Sequence, residues 1–119
     1  MKKTLVIGAS TNPKRYSYMA TNLLSAYKHE VVALGNKAGS IGEHPIITHF
    51  PESQDIDTVT MYLNENLQKE YYDKIIDLKP IRVIFNPGTE NQEFIELLKK
   101  EGIQALEACT LVLLRTNQF

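Results

Sequence analysis

The chain has 119 residues, with thirteen Lys and Arg against fourteen Asp and Glu, for a net charge of −1. That length accommodates one domain with one core, and a nearly neutral chain offers no broad field for a nucleic-acid backbone or an anionic membrane, so any anion site must be local. The opening MKKTLVIGAS is too short an apolar run for a signal-peptide core or a membrane span, the lone Cys109 has no internal disulfide partner, and three scattered histidines give no zinc spacing. The expectation is a cytoplasmic protein without a structural metal.

Residues 3 to 8 carry the continuous run Leu5-Val6-Ile7, the pattern of a central strand covered on both faces. From Ser17 to Tyr27, the residues Met19, Leu23 and Tyr27 recur four apart with Ala20 and Leu24 beside them, which predicts a helix with one apolar face. Pro13 lies ahead of it, where a missing N–H does no harm. Val31 to Leu34 form the second strand. The segment GNKAGSIGEHPIITHFPES, with three glycines and two prolines, reads as a long irregular connection that holds at most a short strand at Ile46 to Thr48. Thr58 to Leu63 cluster β-branched and aromatic residues as a third strand. Asn64 then caps a helix with Leu67, Tyr71, Ile75 and Leu78 on one stripe, ended by Pro80. Arg82 to Asn86 make the fourth strand. Pro87-Gly88-Thr89 turn the chain into a helix capped by Thr89 or Asn91, with Phe94, Leu97 and Leu98 inward and Gly102 as its stop. Gln104 to Glu107 form the last strand, and Cys109 to Leu114 a short closing helix or a strand extension.

This alternation predicts an α/β fold, a doubly wound parallel five-stranded sheet of order 3-2-1-4-5. Ligands bind such sheets beyond the carboxyl ends of the strands, here at the switch point between the first and fourth. Ser10 to Tyr18, Asn36-Lys37, Asn64, Asn86 to Asn91 and Cys109-Thr110 gather there.

The turn Gly8-Ala9-Ser10 lacks the full G-x-G-x-x-G spacing. Its residues are nevertheless small enough for close approach to a pyrophosphate. The hydroxyls of Ser10 and Ser17 donate to phosphate oxygens, the helix start favours an anion, and Lys14 and Arg15 add charge. An ordinary loop with solvated basic residues is the competing reading. Lys37, beside Asn36, stands where an NAD-binding domain places a carboxylate for the ribose hydroxyls, so it suits a phosphorylated ribose or is a solvated loop lysine. Asn86-Pro87-Gly88 either frees backbone amides at a helix start or is plain turn chemistry. Tyr62 and Leu63 are placed to cover an adenine or to be core. Cys109 is a thiol near the cleft or a small core residue. His44 and His49 sit in the long connection without a visible partner, and no catalytic triad or carboxylate pair emerges.

In order and over essentially the whole chain, VIGASTNPKRYSYMATNLL, VVALGNK, VTMYLNEN, VIFNPGTENQEF and EAC resemble the small stand-alone CoA-binding proteins. Their Rossmann-like fold is that of the CoA-binding domain of the succinyl-CoA synthetase α subunit. The resemblance implies that Gly8, Ala9, Ser10, Asn12, Lys14, Arg15 and Ser17, with Tyr18 in the same segment, hold the CoA phosphates. It implies that Asn36 and Lys37 meet the phosphorylated ribose, and that Tyr62, Leu63, Asn86, Pro87 and Gly88 flank the adenine and the pantetheine arm. Cys109 after the last strand is a supporting match. Related ligases need a further domain carrying a phosphorylated histidine, so the resemblance implies binding of CoA or an acyl-CoA by a carrier or sensor, not thioester synthesis. Two alternatives stand beside it: an enzyme or reductase using NADP, and an interaction module with a vestigial nucleotide cleft.

Overall fold

The computed structural model describes residues 1–52 and 55–119. The continuous apolar runs become the middle of a sheet: β1 (Thr4–Ile7), β5 (Thr58–Met61) and β6 (Arg82–Phe85) are buried along their whole length. Around them lie β2 (Val31–Leu34), β3 (Gly39–Ile41), β4 (His44–Ile47) and β7 (Gln104–Glu107). The seven strands run in the order β3-β4-β2-β1-β5-β6-β7, parallel except for β3 on β4.

Two features differ from the sequence expectation. The sheet has seven strands rather than five, because the long connection folds back as the β3–β4 hairpin; its Ser53 lies outside the described residues. The strand order also differs. β4 occupies the outer edge of β2, with Ala33 against Ile46 and Leu34 against Ile47, so the 58–61 strand pairs with β1 and not with β2. The topological switch point therefore lies between β1 and β5.

Helices cover both faces. On one, α1 (Tyr16–Ala26) and α5 (Thr110–Arg115) bury Leu24 and Leu114 against Val6 and Ala33. On the other, α3 (Tyr72–Leu78) and α4 (Gln92–Lys100) bury Tyr72, Ile75, Phe94 and Leu98 against Leu5, Val59 and Phe85. Phe94 anchors this side, stacked on Tyr72 at 4.3 Å between ring centroids and edge-on to Phe85 at 5.9 Å. Asn91 caps α4 through the Phe94 N–H at 3.0 Å, while the Thr89 hydroxyl donates to the Asn86 carbonyl. Gly102, at φ +75°, ends that helix. Cys109 is the N-cap of α5, which resolves the closing segment as a helix.

Helix faces depart from the simple stripes. α1 buries Ser17, Ala20, Thr21 and Leu24, and leaves Met19 and Tyr27 36% and 42% exposed. Small side chains let it sit close to the sheet, and the Thr21 hydroxyl is satisfied by the Ser17 carbonyl at 2.8 Å. Asn64 caps α2 (Glu65–Gln68) as expected, but a 3₁₀ turn at Lys69–Tyr71 separates α2 from α3. The stripe is broken there: Gln68, Tyr72 and Ile75 are buried and Leu67 is 51% exposed. Among the described residues, no helix is long and apolar enough to cross a membrane.

The ends of β1 and β2 are pinned where their backbones meet. Leu34 O accepts from both Gly8 N–H and Ala9 N–H at 2.9 Å, and Gly35 N–H donates to Ile47 O at 3.0 Å. A Cβ on Gly35 would lie 2.4 Å from the Ala9 carbonyl oxygen, so only glycine fits. We expect Gly35→Ala to lower stability by about 1 to 3 kcal/mol, the usual cost of forcing volume into packed backbone. Urea unfolding should show a lower midpoint at unchanged slope.

Candidate functional site

A cleft of about 660 Å³ opens beyond the carboxyl ends of β1, β2, β5 and β6. Ile7 and Leu34 form its floor; the β1–α1 turn (Gly8-Ala9-Ser10) and the start of α1 (Arg15-Tyr16-Ser17) form one wall. Gly35-Asn36, Tyr62-Leu63-Asn64 and Pro87-Gly88-Thr89 border it, and Leu67, Glu70 and Tyr71 make the wall on the other side of the sheet. A cleft of this size suits a cofactor-sized ligand.

The β1–α1 loop is ordered by its own polar side chains. Ser10 Oγ accepts from Asn12 N–H at 3.1 Å, and Asn12 Oδ1 accepts from Lys14 N–H at 3.0 Å. The Asn12 carbonyl accepts from Arg15 N–H at 3.0 Å. α1 begins at an N-cap, Arg15, whose side chain makes no capping hydrogen bond, and its first turn holds no acidic residue. Helix N-terminal amides lack intrahelical partners and carry partial positive charge. The start of α1 lines the cleft, with Ser17 only 3% exposed there. Gly8, at φ +97°, permits the close approach of Tyr62: a Cβ there would lie 3.2 Å from Tyr62 Cβ.

Tyr62 forms a neutral wall. Burial pushes its phenol up to about 12, against the opposing pull of hydrogen bonds with Thr60 and Thr110. Tyr71 is also raised, by burial and then by the charge of Glu70. Among the described residues that line the cleft, Arg15 is the one cation and Glu70 the one carboxylate.

Two buried networks hold these walls. Asn86, 2% exposed, donates from Nδ2 to Thr60 Oγ1 at 2.7 Å and to Met61 O at 2.9 Å, and its Oδ1 accepts from Thr110 N–H at 2.8 Å. Gln68 Nε2 donates to Leu63 O at 2.9 Å and Thr89 O at 2.7 Å. Asn91 Nδ2 completes that second set with Gln68 Oε1 at 2.9 Å and Tyr72 Oη at 2.8 Å. The first network ties β5, β6 and α5 together, and the second fixes α2 to the Pro87–Asn91 turn.

Of the sequence-derived candidates, the structure brings Gly8, Ala9, Ser10, Arg15, Ser17, Asn36, Tyr62, Leu63, Pro87 and Gly88 onto one cleft. The others lie off its lining. Asn12 and Lys14 are exposed in the loop; Tyr18, within α1, is half-buried against the core; Lys37 is exposed next to Asn36. Asn86 is buried beneath the cleft, and Cys109 is half-buried at the start of α5. His44 lies in β4, and His49 lines a separate cavity with Phe50 and Lys74. Leu67, Glu70 and Tyr71 were not foreseen as cleft residues. Helical periodicity put Leu67 and Tyr71 in the core, and only a 3₁₀ break would have turned them outward. Among the described residues, no group of His, Cys, Asp and Glu is arranged to hold a metal ion.

A doubly wound, largely parallel sheet with its cleft at the switch point defines a Rossmann-like α/β domain. The chain belongs to the CoA binding domain family, which matches residues 2–115. It is similar to a solved structure of an uncharacterized protein, at 44% identity and a TM-score of 0.97, over 100% of this chain and 98% of the other. A protein from Thermus thermophilus, cell-free ID.343, shares the fold at 18% identity and a TM-score of 0.87, with 99% and 90% covered. A dinucleotide-forming acetyl-coenzyme A synthetase from Ca. Korarchaeum cryptofilum shares it at 15% identity and 0.72, over 90% of this chain and 25% of that one. No curated protein matches the chain.

We expect Asn86→Ala to cost about 2 to 4 kcal/mol, because it strands Thr110 N–H and removes two donated bonds inside a buried network. Thermal and urea unfolding measure the loss. Asn86→Asp keeps the acceptor for Thr110 N–H but sets a buried carboxylate oxygen against Met61 O, so it should cost at least as much as Asn86→Ala.

Proposed function

We propose that the chain binds CoA or an acyl-CoA across this cleft and acts as a carrier or sensor of it. The observation that carries this reading is the uncapped start of α1 beside the Gly8-Ala9-Ser10 turn, in a chain of the CoA binding domain family. Anions bind helix N-termini reached by small residues, and a pyrophosphate supplies the charge. Arg15 and Ser17 would bind the same group, with Asn12 and Lys14 ordering and charging the loop around it. Asn36 and the adjacent Lys37 would meet the ribose phosphate. Tyr62 and Leu63 would flank the adenine, and Pro87 and Gly88 the pantetheine arm. Asn86, Tyr18 and Cys109 would support the cleft from behind. Tyr62, held neutral by burial, supplies surface and not a proton acceptor near neutral pH.

CoA should raise the melting temperature more than dephospho-CoA, NADP or NAD at equal concentration, because at fixed concentration the tighter ligand of the folded state stabilises it more. A series led by NADP would replace this reading with that of an NADP-dependent enzyme. Titration calorimetry separates the two cation roles. Arg15→Ala should weaken CoA and dephospho-CoA by similar factors. Lys37→Ala should weaken CoA by about 2- to 10-fold and leave dephospho-CoA unchanged, a modest effect because the side chain is solvated. Equal losses with both ligands would return Lys37 to the solvent.

A further inference from the structure

We propose that Glu70 selects the purine of the ligand by accepting a hydrogen bond from its 6-amino group; this rests on the CoA reading above. Three observations converge on it. The charges lining the cleft are divided between its walls: Arg15 stands at the start of α1 on one face of the sheet, and Glu70 in the 3₁₀ turn on the other. A carboxylate repels phosphate, so the anionic part of the ligand belongs at the Arg15 wall and an uncharged part at the Glu70 wall.

The second observation is the shape of that wall. Leu67 and Tyr71 both line the cleft beside Glu70, and the Tyr71 ring has Phe50 at 6.2 Å between centroids and Lys74 Nζ at 5.6 Å from its centroid. An aromatic ring with an aliphatic neighbour is a surface for a flat heterocycle. The third is the local backbone. A 3₁₀ turn between two α-helical segments is less favourable than continuous helix, and here it carries Glu70 and Tyr71 to the cleft. Of the donors on a CoA-type ligand, the exocyclic amine of adenine lies at the edge of a flat ring, where a carboxylate beside that surface can reach it. A 6-oxopurine presents an acceptor at the same place, and two acceptors repel.

The probes are CoA and its deaminated analogue, in which hypoxanthine replaces adenine, titrated calorimetrically into the full chain. The wild type should prefer CoA by about 5- to 20-fold. Glu70→Gln offers either an acceptor or a donor by turning its amide, so it should bring the ratio near one, weakening CoA and strengthening the analogue. Removing a negative charge also alters phosphate affinity, but equally for both ligands, so the ratio isolates the contact. Glu70 is exposed, and an unchanged unliganded melting point will confirm that the variant folds. An unchanged ratio in a variant that still binds CoA overturns the role of Glu70 alone. A wild type that binds neither ligand overturns the CoA reading, and this inference with it.

Discussion

Asn86 is one amide on which three elements depend. Its donor reaches Thr60 and Met61 at the end of β5, its acceptor takes the first amide of α5, and its own backbone ends β6. Thr60 and Thr110 close the knot through their hydroxyls, 2.8 Å apart. In a buried site an unmade hydrogen bond costs more than a made one contributes, so the network is stable only complete. Its completeness fixes the carboxyl end of β5, and that places Tyr62 above Gly8. Gly8 in turn admits the Tyr62 backbone and Cβ this close only because it has no Cβ and adopts a positive φ. The cleft is thus shaped before any ligand arrives, which lowers the ordering cost of binding.

Most elements were legible in the sequence because their signals are local. The apolar runs of β1 and β6 read as buried parallel strands, and Asn64 and Asn91 announced their helices by capping chemistry. Strand order was not legible, since it depends on a pairing between distant segments: Ile46 and Ile47 dock on β2 and displace the 58–61 strand to β1. The helix after β5 misled for a different reason. A four-residue spacing of Leu67, Tyr71 and Ile75 fits a continuous helix, whereas the 3₁₀ turn leaves only Ile75 fully buried. Within the site, the Gly8–Ser17 turn was visible because glycine, small residues and basic residues cluster there. Asn86 looked like a ligand contact because buried and exposed turn asparagines are identical in sequence.

A chain of net charge −1 has no global field to concentrate an anion. What it offers instead is fixed geometry. The start of α1 lies at one wall, and Arg15 adds a full charge at that place. Glu70 opposes both from across the sheet, so the field across the cleft is directional despite the neutral total.

The amino ends of the strands meet the opposite fate, and the contrast explains why one pole is open. Arg82 is 8% exposed there, donates from Nε to Thr58 Oγ1 at 2.8 Å, and lies 4.4 Å from the ring centroid of Phe119. Burial lowers its pKa, and the nearby charge of Asp57 acts against that shift. His29 packs on the same ring at 4.9 Å and accepts the Lys2 N–H at 3.0 Å, which requires an unprotonated Nδ1. At this pole side chains cover the strand ends, and Arg82 Nη2 is buried among them without a hydrogen-bond partner among the described residues. At the carboxyl pole the side chains of Asn86, Gln68 and Asn91 are spent on holding the walls, and the start of α1 is left lining the cleft. Parallel strands place both poles on one axis, so the closed end supports the open one through β1, β5 and β6, whose side chains are buried throughout.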